Sequence, residues 1–372
     1  MEKVIVGMSG GVDSSVTAAL LVKKGYEVIG VTVVMRDGAD EDIRDAKAVC
    51  NALGIEHHVI DMRDVFRRDV IDYFVTEYCN ICTPNPCNMC NRYAKWRGLT
   101  EEADRQNAEY VATGHYARIE KKTNGRYTLR NSETAEKDQT YALCFLTQEQ
   151  LSRTLMPLGD YTKEQVRKLA EEYQLPVAHK KDSQDICFVE NGNYVSFIDK
   201  YMSESANEIL KEDIGTKYHE ATKPGDFVDF EGNVLGKHKG MLNYTYGQRR
   251  GLGVSAKTRL CVVDMKPETG NILLGQDEDA FSGELVCSNL NLMSIDRLTE
   301  PIRAWVKIRY AHKGEMAVIY PISENVAGVV FDNPVRAVTP GQPVVFYDGD
   351  TVLGAGIIQK NHAKEIRDGN FS

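Results

Sequence analysis

The chain has 372 residues and a formal net charge of −9, which is length enough for two or three domains, each with its own core. Its 42% apolar and 27% charged residues are ordinary for a soluble globular protein; no apolar run approaches a membrane span, and the acidic balance excludes a uniformly basic nucleic-acid binder while leaving room for local basic strips. Met-Glu-Lys followed at once by a strand pattern is not a signal peptide, so a cytoplasmic protein is the expectation. In that compartment nine cysteines read as thiols, metal ligands or redox groups rather than structural disulfides.

Val4, Ile5 and Val6 predict a strand that runs into Gly7-Met8-Ser9-Gly10-Gly11-Val12-Asp13-Ser14 and then a helix through Val16, Ala19 and Leu20. Successive backbone amides of Ser9, Gly10 and Gly11, together with the positive end of the following helix, make an anion site. The loop lacks the Gly-Lys-Ser/Thr ending of a Walker loop and is not the Gly-x-Gly-x-x-Gly of dinucleotide binders. Ser-Gly-Gly-x-Asp-Ser resembles the pyrophosphate loop of ATP pyrophosphatases, which split ATP into AMP and pyrophosphate while adenylating a substrate. A helix to about Lys24 with Gly25 as its cap, a strand over Val28–Val34, a helix over Asp40–Gly54, and strands at Glu56–Ile60 and Tyr110–Thr113 predict a parallel sheet covered on both faces. Its ligand belongs at the carboxyl ends of the strands.

Cys79, Cys82, Cys87 and Cys90 form two Cys-x-x-Cys pairs around a Pro-rich turn. A four-cysteine zinc site is one reading, against which the four-residue connection is short. The other is a catalytic or cluster-binding pair, Cys87 and Cys90, joined in space by a distant partner. Cys187, between the polar run Asp182–Asp185 and the apolar Phe188-Val189, offers that partner; taken without context it reads as a core cysteine.

Eight motifs occur together and in order: the loop Gly7–Ser15, Thr83-Pro-Asn-Pro with Cys90-Asn91, Thr113-Gly-His-Tyr-Ala-Arg118, Lys137-Asp-Gln-Thr-Tyr141, Asp182-Ser-Gln-Asp-Ile-Cys-Phe188, Asn243–Gly253, Lys307-Ile-Arg-Tyr310 and Pro334–Gln342. Together they resemble the tRNA-specific 2-thiouridylases, which place sulfur on the wobble uridine of certain tRNAs, and the resemblance spans essentially the whole chain. It implies an α/β fold: an N-terminal adenine-nucleotide α-hydrolase-like parallel sheet (1–205), a small β-rich middle domain (206–280) and a C-terminal β-barrel (281–372). The partners it implies are the tRNA anticodon loop and an upstream persulfide carrier or cysteine desulfurase, with no membrane.

By the same resemblance, Gly7 to Ser14, Val33 and Gly114 would contact ATP, with Mg²⁺ near Asp13. Asn85, Pro86 and Cys87 would contact the target base, and His115, Lys137, Asp138, Gln139, Arg309, Tyr310 and Gln342 the tRNA. Cys187 would carry a persulfide and Cys90 would act as nucleophile, closing a Cys90–Cys187 disulfide. One departure stands out, because the family carries Asp where this chain has Cys87. Cys87, Cys90 and Cys187 then resemble the three ligands of a [4Fe-4S] cluster in related RNA sulfur transferases, with one iron left open for a sulfide. The sequence leaves the persulfide and cluster routes open. Rival readings are an amidating synthetase of the same superfamily, which has no need of Cys90 and Cys187, and a non-catalytic zinc-knuckle RNA binder.

Beyond residue 160, a helix capped at Thr162, a helix pair over Asn193–Leu210 and a hairpin over Pro224–Gly236 are expected. Lys237, His238, Lys239, Arg249, Arg250, Lys257 and Arg259, with Tyr244 and Tyr246 between them, suggest a phosphate-and-stacking surface. Five short strands from Ala304 to Ile358 suggest the barrel.

Overall fold

The structure is a computed structural model. It describes residues 1–134, 136–181, 186–189, 192–204, 208–256 and 258–360, with the main chain alone over 208–211. The run 182–185, Lys257 and the expected domain junction at 205–206 lie outside the described residues.

The first sheet is parallel. Strands β1 (Lys3–Gly7), β2 (Glu27–Val34), β3 (Glu56–Asp61) and β4 (Tyr110–Ala112) stand in the order β3-β2-β1-β4, and the short strand Thr154–Leu155 extends the β4 edge. The near-continuous apolar runs of β1 and β2 serve two cores. Ile5, Ile29 and Val31 face one together with Trp96 and Leu99, while Val4, Val6 and Val28 face the other. The second core is closed by helices α1 (Val12–Lys23) and α2 (Asp40–Leu53), and α2 stops at Gly54 with φ +68°, as a glycine cap requires. Consecutive-order pairing breaks between β1 and β4, and at such a switch point the loops after the strands diverge and leave a crevice. The loops after Gly7 and Ala112 are those that border it.

The expected cap at Thr162 holds: its hydroxyl accepts from Gln165 N at the head of helix Lys163–Glu172. The second helix of the expected pair departs from the sequence reading, because it continues from Glu208 through Gly215 to Thr222. The middle unit is a four-stranded sheet that includes the antiparallel hairpin Gly225–Val228 and Val234–His238. Six antiparallel strands from Phe281 to Ile358 close into a barrel through the pairing of the first with the last. The hairpin Arg118–Lys121 and Tyr127–Arg130 leaves the catalytic unit and joins this sheet, where Thr351 pairs with Arg130 and Arg130 bonds Asp350. Among the described residues no helix is long and apolar enough to cross a membrane.

Trp96 is fully buried and its indole N–H donates to Thr154 Oγ1 at 2.8 Å, tying the helix after the cysteines to the sheet edge. Thr154→Val leaves that donor unpaired in an apolar core. It is expected to cost about 1–3 kcal/mol of stability, read from the midpoint of denaturant unfolding.

Candidate active site

The glycine-rich loop is held in shape from within. Met8 N donates to Val31 O at 2.8 Å, Ser14 Oγ donates to Gly11 O at 3.1 Å and accepts from Ser9 N at 3.2 Å, and Ser15 Oγ donates to Gly11 O at 2.8 Å. Gly10 sits at φ +68°, and a Cβ there would fall 2.7 Å from Asp42 O, so both conformation and space demand glycine. No side chain caps α1 at Gly11. The amides of Val12, Asp13 and Ser14, which have no partner inside a helix, are therefore left for an anionic ligand. A Cβ on Gly114 would lie 2.7 Å from Asp13 C and Ser14 N, so Gly114 lets the end of β4 press against the phosphate loop.

Mg²⁺ was expected near Asp13. That carboxylate is already engaged: it accepts from Tyr116 Oη at 2.8 Å and from Lys163 Nζ at 2.8 and 2.9 Å. Magnesium belongs to the Mg·ATP substrate. Val33 is half-buried at the end of β2, and two residues on, Met35 Sδ accepts from Cys90 Sγ at 3.4 Å. That contact joins the nucleotide side of the sheet to the thiols.

The thiol site is built on a short helix, Pro86–Met89, continued by a π-turn, Cys90–Lys95. Asn85 Oδ1 caps it by accepting from Cys87 N at 3.1 Å, and Pro86 is buried at its first position. Asn88 and Asn91 then anchor it sideways by donating to Tyr141 O at 2.8 Å and Ala142 O at 2.9 Å. Cys87 and Cys187 are exposed and Cys90 half-buried. Crowding by protein raises all three thiols, Cys90 to about 12. Cys90 and Phe188, the residue after Cys187, pack against one small apolar cluster, which brings the Cys187 segment to the cysteine helix.

Lys95 opposes that rise at every one of the three, joined at Cys187 by Arg36. In an α-helix, five residues leave a side chain roughly 140° around from where it started. The wider π-turn brings Lys95 back toward Cys90, and Asn91 Oδ1 holds its ammonium at 2.9 Å. Sequence reasoning missed this lysine because its spacing from Cys90 is not a helical one.

Cys79 lies buried in the middle-unit core with Phe74, Tyr78 and Phe227, away from the other pair. All nine cysteines are free. Among the described residues no three His, Cys, Asp or Glu side chains are grouped to hold a metal ion. The four-cysteine zinc site is thus corrected. Cys87, Cys90 and Cys187 are likewise not among such groups.

Several residues assigned to RNA turn inward. Asp138 is buried, accepting from Ser132 N at 3.0 Å and Thr140 Oγ1 at 2.6 Å, and burial raises its carboxyl. Gln139 Oε1 accepts from Tyr116 N at 2.8 Å. Gln342 donates to Thr83 O at 2.7 Å and so holds the cysteine loop from the barrel. His115, beside Thr113 Oγ1 at 2.8 Å, is held well below the ordinary imidazole range by desolvation and then by Lys95, so it is neutral. Arg309 donates to Arg336 O at 2.8 Å, while Lys137 and Tyr310 are exposed. In the middle unit His238 and Tyr244 are core residues, not a stacking surface; Lys237, Lys239, Arg249, Arg250 and Arg259 are exposed.

A Ser-Gly-Gly-x-Asp-Ser loop at the switch point of a parallel sheet, with Cys90 against Met35 just past the neighbouring strand, defines an ATP pyrophosphatase-type domain adapted to sulfur chemistry. Residues 2–191 match the tRNA methyl transferase HUP domain family, 216–276 the tRNA methyl transferase PRC-barrel domain and 282–358 the aminomethyltransferase β-barrel domain. Relatives named tRNA-specific 2-thiouridylase MnmA include one from Acetivibrio thermocellus, 48% identical over 96% of this chain and 99% of its own. Another, from Lachnoclostridium phytofermentans, is 46% identical over 97% of this chain and 100% of its own. The chain belongs to the tRNA-specific 2-thiouridylase family.

Two outcomes follow from this geometry. Gly114→Ala forces the loop apart at Asp13–Ser14 and should weaken Mg·ATP binding tenfold or more by calorimetry. Lys95→Met removes the cation that favours the thiolates, so the thiols titrate higher and alkylation of Cys187 at pH 8 slows several-fold, whereas Lys95→Arg keeps the rate near that of the native protein.

Proposed function

We propose that this chain catalyses ATP-dependent 2-thiolation of the wobble uridine of tRNA, with Cys187 as sulfur carrier and Cys90 as resolving nucleophile. The observation that carries the reading is that Cys90 and Phe188, the residue after Cys187, pack on one small apolar cluster, while Cys90 also touches Met35 just past the end of β2.

The C2 carbonyl oxygen of uridine is a poor leaving group. Attack of that oxygen on the α-phosphate of ATP expels pyrophosphate, and AMP then becomes the leaving group. The amides of Val12, Asp13 and Ser14 cradle the phosphates, and Lys163 beside Asp13 brings positive charge to the same end of α1. The target base must leave the anticodon stack to reach the thiols. Asn85 and Pro86 act by shaping the turn that it meets, and the exposed Lys137, Tyr310 and basic residues of the middle unit offer contacts to RNA.

A persulfide carrier or cysteine desulfurase loads Cys187, which is exposed where Cys90 is half-buried. Its outer sulfur reaches C2 either as hydrosulfide, after Cys90 attacks the Sγ of Cys187, or directly, with Cys90 attacking the same Sγ afterwards. Both orders end in 2-thiouridine, AMP and a Cys90–Cys187 disulfide, which a thiol reductant resets. Lys95 favours the attacking thiolate. A cytoplasmic location fits a tRNA substrate.

Cys90→Ser and Cys187→Ser are each expected to abolish 2-thiouridine formation, read by nucleoside mass spectrometry, while tRNA affinity stays within about twofold; full activity in either variant sinks the assignment. Iron content separates the routes. Protein purified without oxygen should thiolate from a persulfide donor with no stoichiometric iron, and iron that is required and is lost in Cys87→Ala would overturn the persulfide route.

A further inference from the structure

Cys187 arrives on a short described stretch, Ile186 to Val189. The side chain that seats this stretch is the one after the cysteine. The ring of Phe188 stands edge-on to Phe66 and Phe74, with centroids at 5.6 and 5.2 Å, and tilted against Phe197 at 5.2 Å. Aromatic pairs at these separations add to the apolar burial and fix orientation as well.

Phe66, Val70 and Ala94 form a small, fully buried cluster of their own, and both Phe188 and Cys90 pack against it. Ala94 belongs to the π-turn that begins at Cys90, and Phe66 ends the short helix after β3. One apolar cluster therefore supports both thiol-bearing segments, at Cys90 itself and at the residue beside Cys187. Neither segment touches the phosphate loop through it.

We infer that Phe188, seated on the Phe66–Val70–Ala94 cluster, is a positioning residue that presents the Sγ of Cys187 to Cys90. The inference rests on the persulfide reading above. In the step concerned, the Cys90 thiolate attacks Cys187 Sγ and a new S–S bond forms. The bond from Cys187 to the outer sulfur breaks, and its electron pair leaves with that sulfur as hydrosulfide or as the thiolate on C2. The outer sulfur is reduced and the two thiols are oxidised, so no further oxidant is needed. Displacement at sulfur depends on which sulfur is accessible and on alignment, and a well-oriented intramolecular thiol gains a large effective concentration.

The test uses the full chain carrying Phe188→Ala, Phe188→Leu or, as a control in the barrel core, Phe346→Leu. Equilibration with glutathione gives the effective concentration of the Cys90–Cys187 pair, and single-turnover thiolation gives the rate. Phe188→Ala should lower both at least tenfold, with KM for ATP and for tRNA held within about twofold, and Phe188→Leu should recover most of the loss. Phe346→Leu should lower the melting temperature and leave the effective concentration unchanged. A native effective concentration in Phe188→Ala, or an equal loss in Phe346→Leu, would overturn the inference. Failure of the persulfide reading is distinguishable, since it appears as thiolation surviving in the serine variants or as thiolation that requires stoichiometric iron, whatever the glutathione equilibrium shows.

Discussion

The rest of the site depends on the close approach of the end of β4 to the phosphate loop. With only a hydrogen at Gly114, the main chain there packs onto the Asp13–Ser14 peptide, and the two loops that leave the sheet at its switch point can share a wall. His115 and Tyr116 follow directly. Tyr116 reaches back to Asp13, which Lys163 also grips, while Gln139 bonds the Tyr116 amide. The nucleotide end of the sheet and the 137–141 segment are thereby fixed to each other. That segment in turn holds the cysteine helix through Asn88 and Asn91. Adenylation and sulfur transfer must meet at one carbonyl of the base, the first on its oxygen and the second on C2, and this chain of contacts sets their spacing.

A second constraint is electrostatic. Thiols in a crowded, partly desolvated site resist ionisation, and Cys90 is driven to about 12. A single lysine serving all three thiols offsets part of that penalty without a metal. Burial first, and then the same lysine, hold His115 well below the ordinary imidazole range. Lysine suits the role because its ammonium is a compact charge on a flexible stem, which Asn91 anchors.

What was legible in the sequence was local. The phosphate loop, the strand–helix alternation, the capping boxes and the barrel strands each announce themselves through neighbours within a few residues. What was not legible depends on partners far along the chain or on a departure from standard periodicity. Lys163 meets Asp13 across 150 residues, the hairpin Arg118–Arg130 pairs with a strand near residue 351, and Lys95 faces Cys90 only because the helix widens into a π-turn. Motif membership also says nothing about direction. Asp138 and Gln342 lie in runs that resemble RNA-contacting motifs, yet both spend their polar atoms inside the protein, bracing the segments that do face outward. Cys87, read from the sequence as a departure from the family's Asp, is exposed.

The most direct test of this account is a single turnover of persulfide-loaded protein with tRNA and Mg·ATP in the absence of reductant, followed by intact-protein and peptide mass spectrometry. The account predicts one Cys90–Cys187 disulfide for each 2-thiouridine formed, and then arrest until a thiol reductant is added. Repeated turnover with both cysteines still reduced would contradict it.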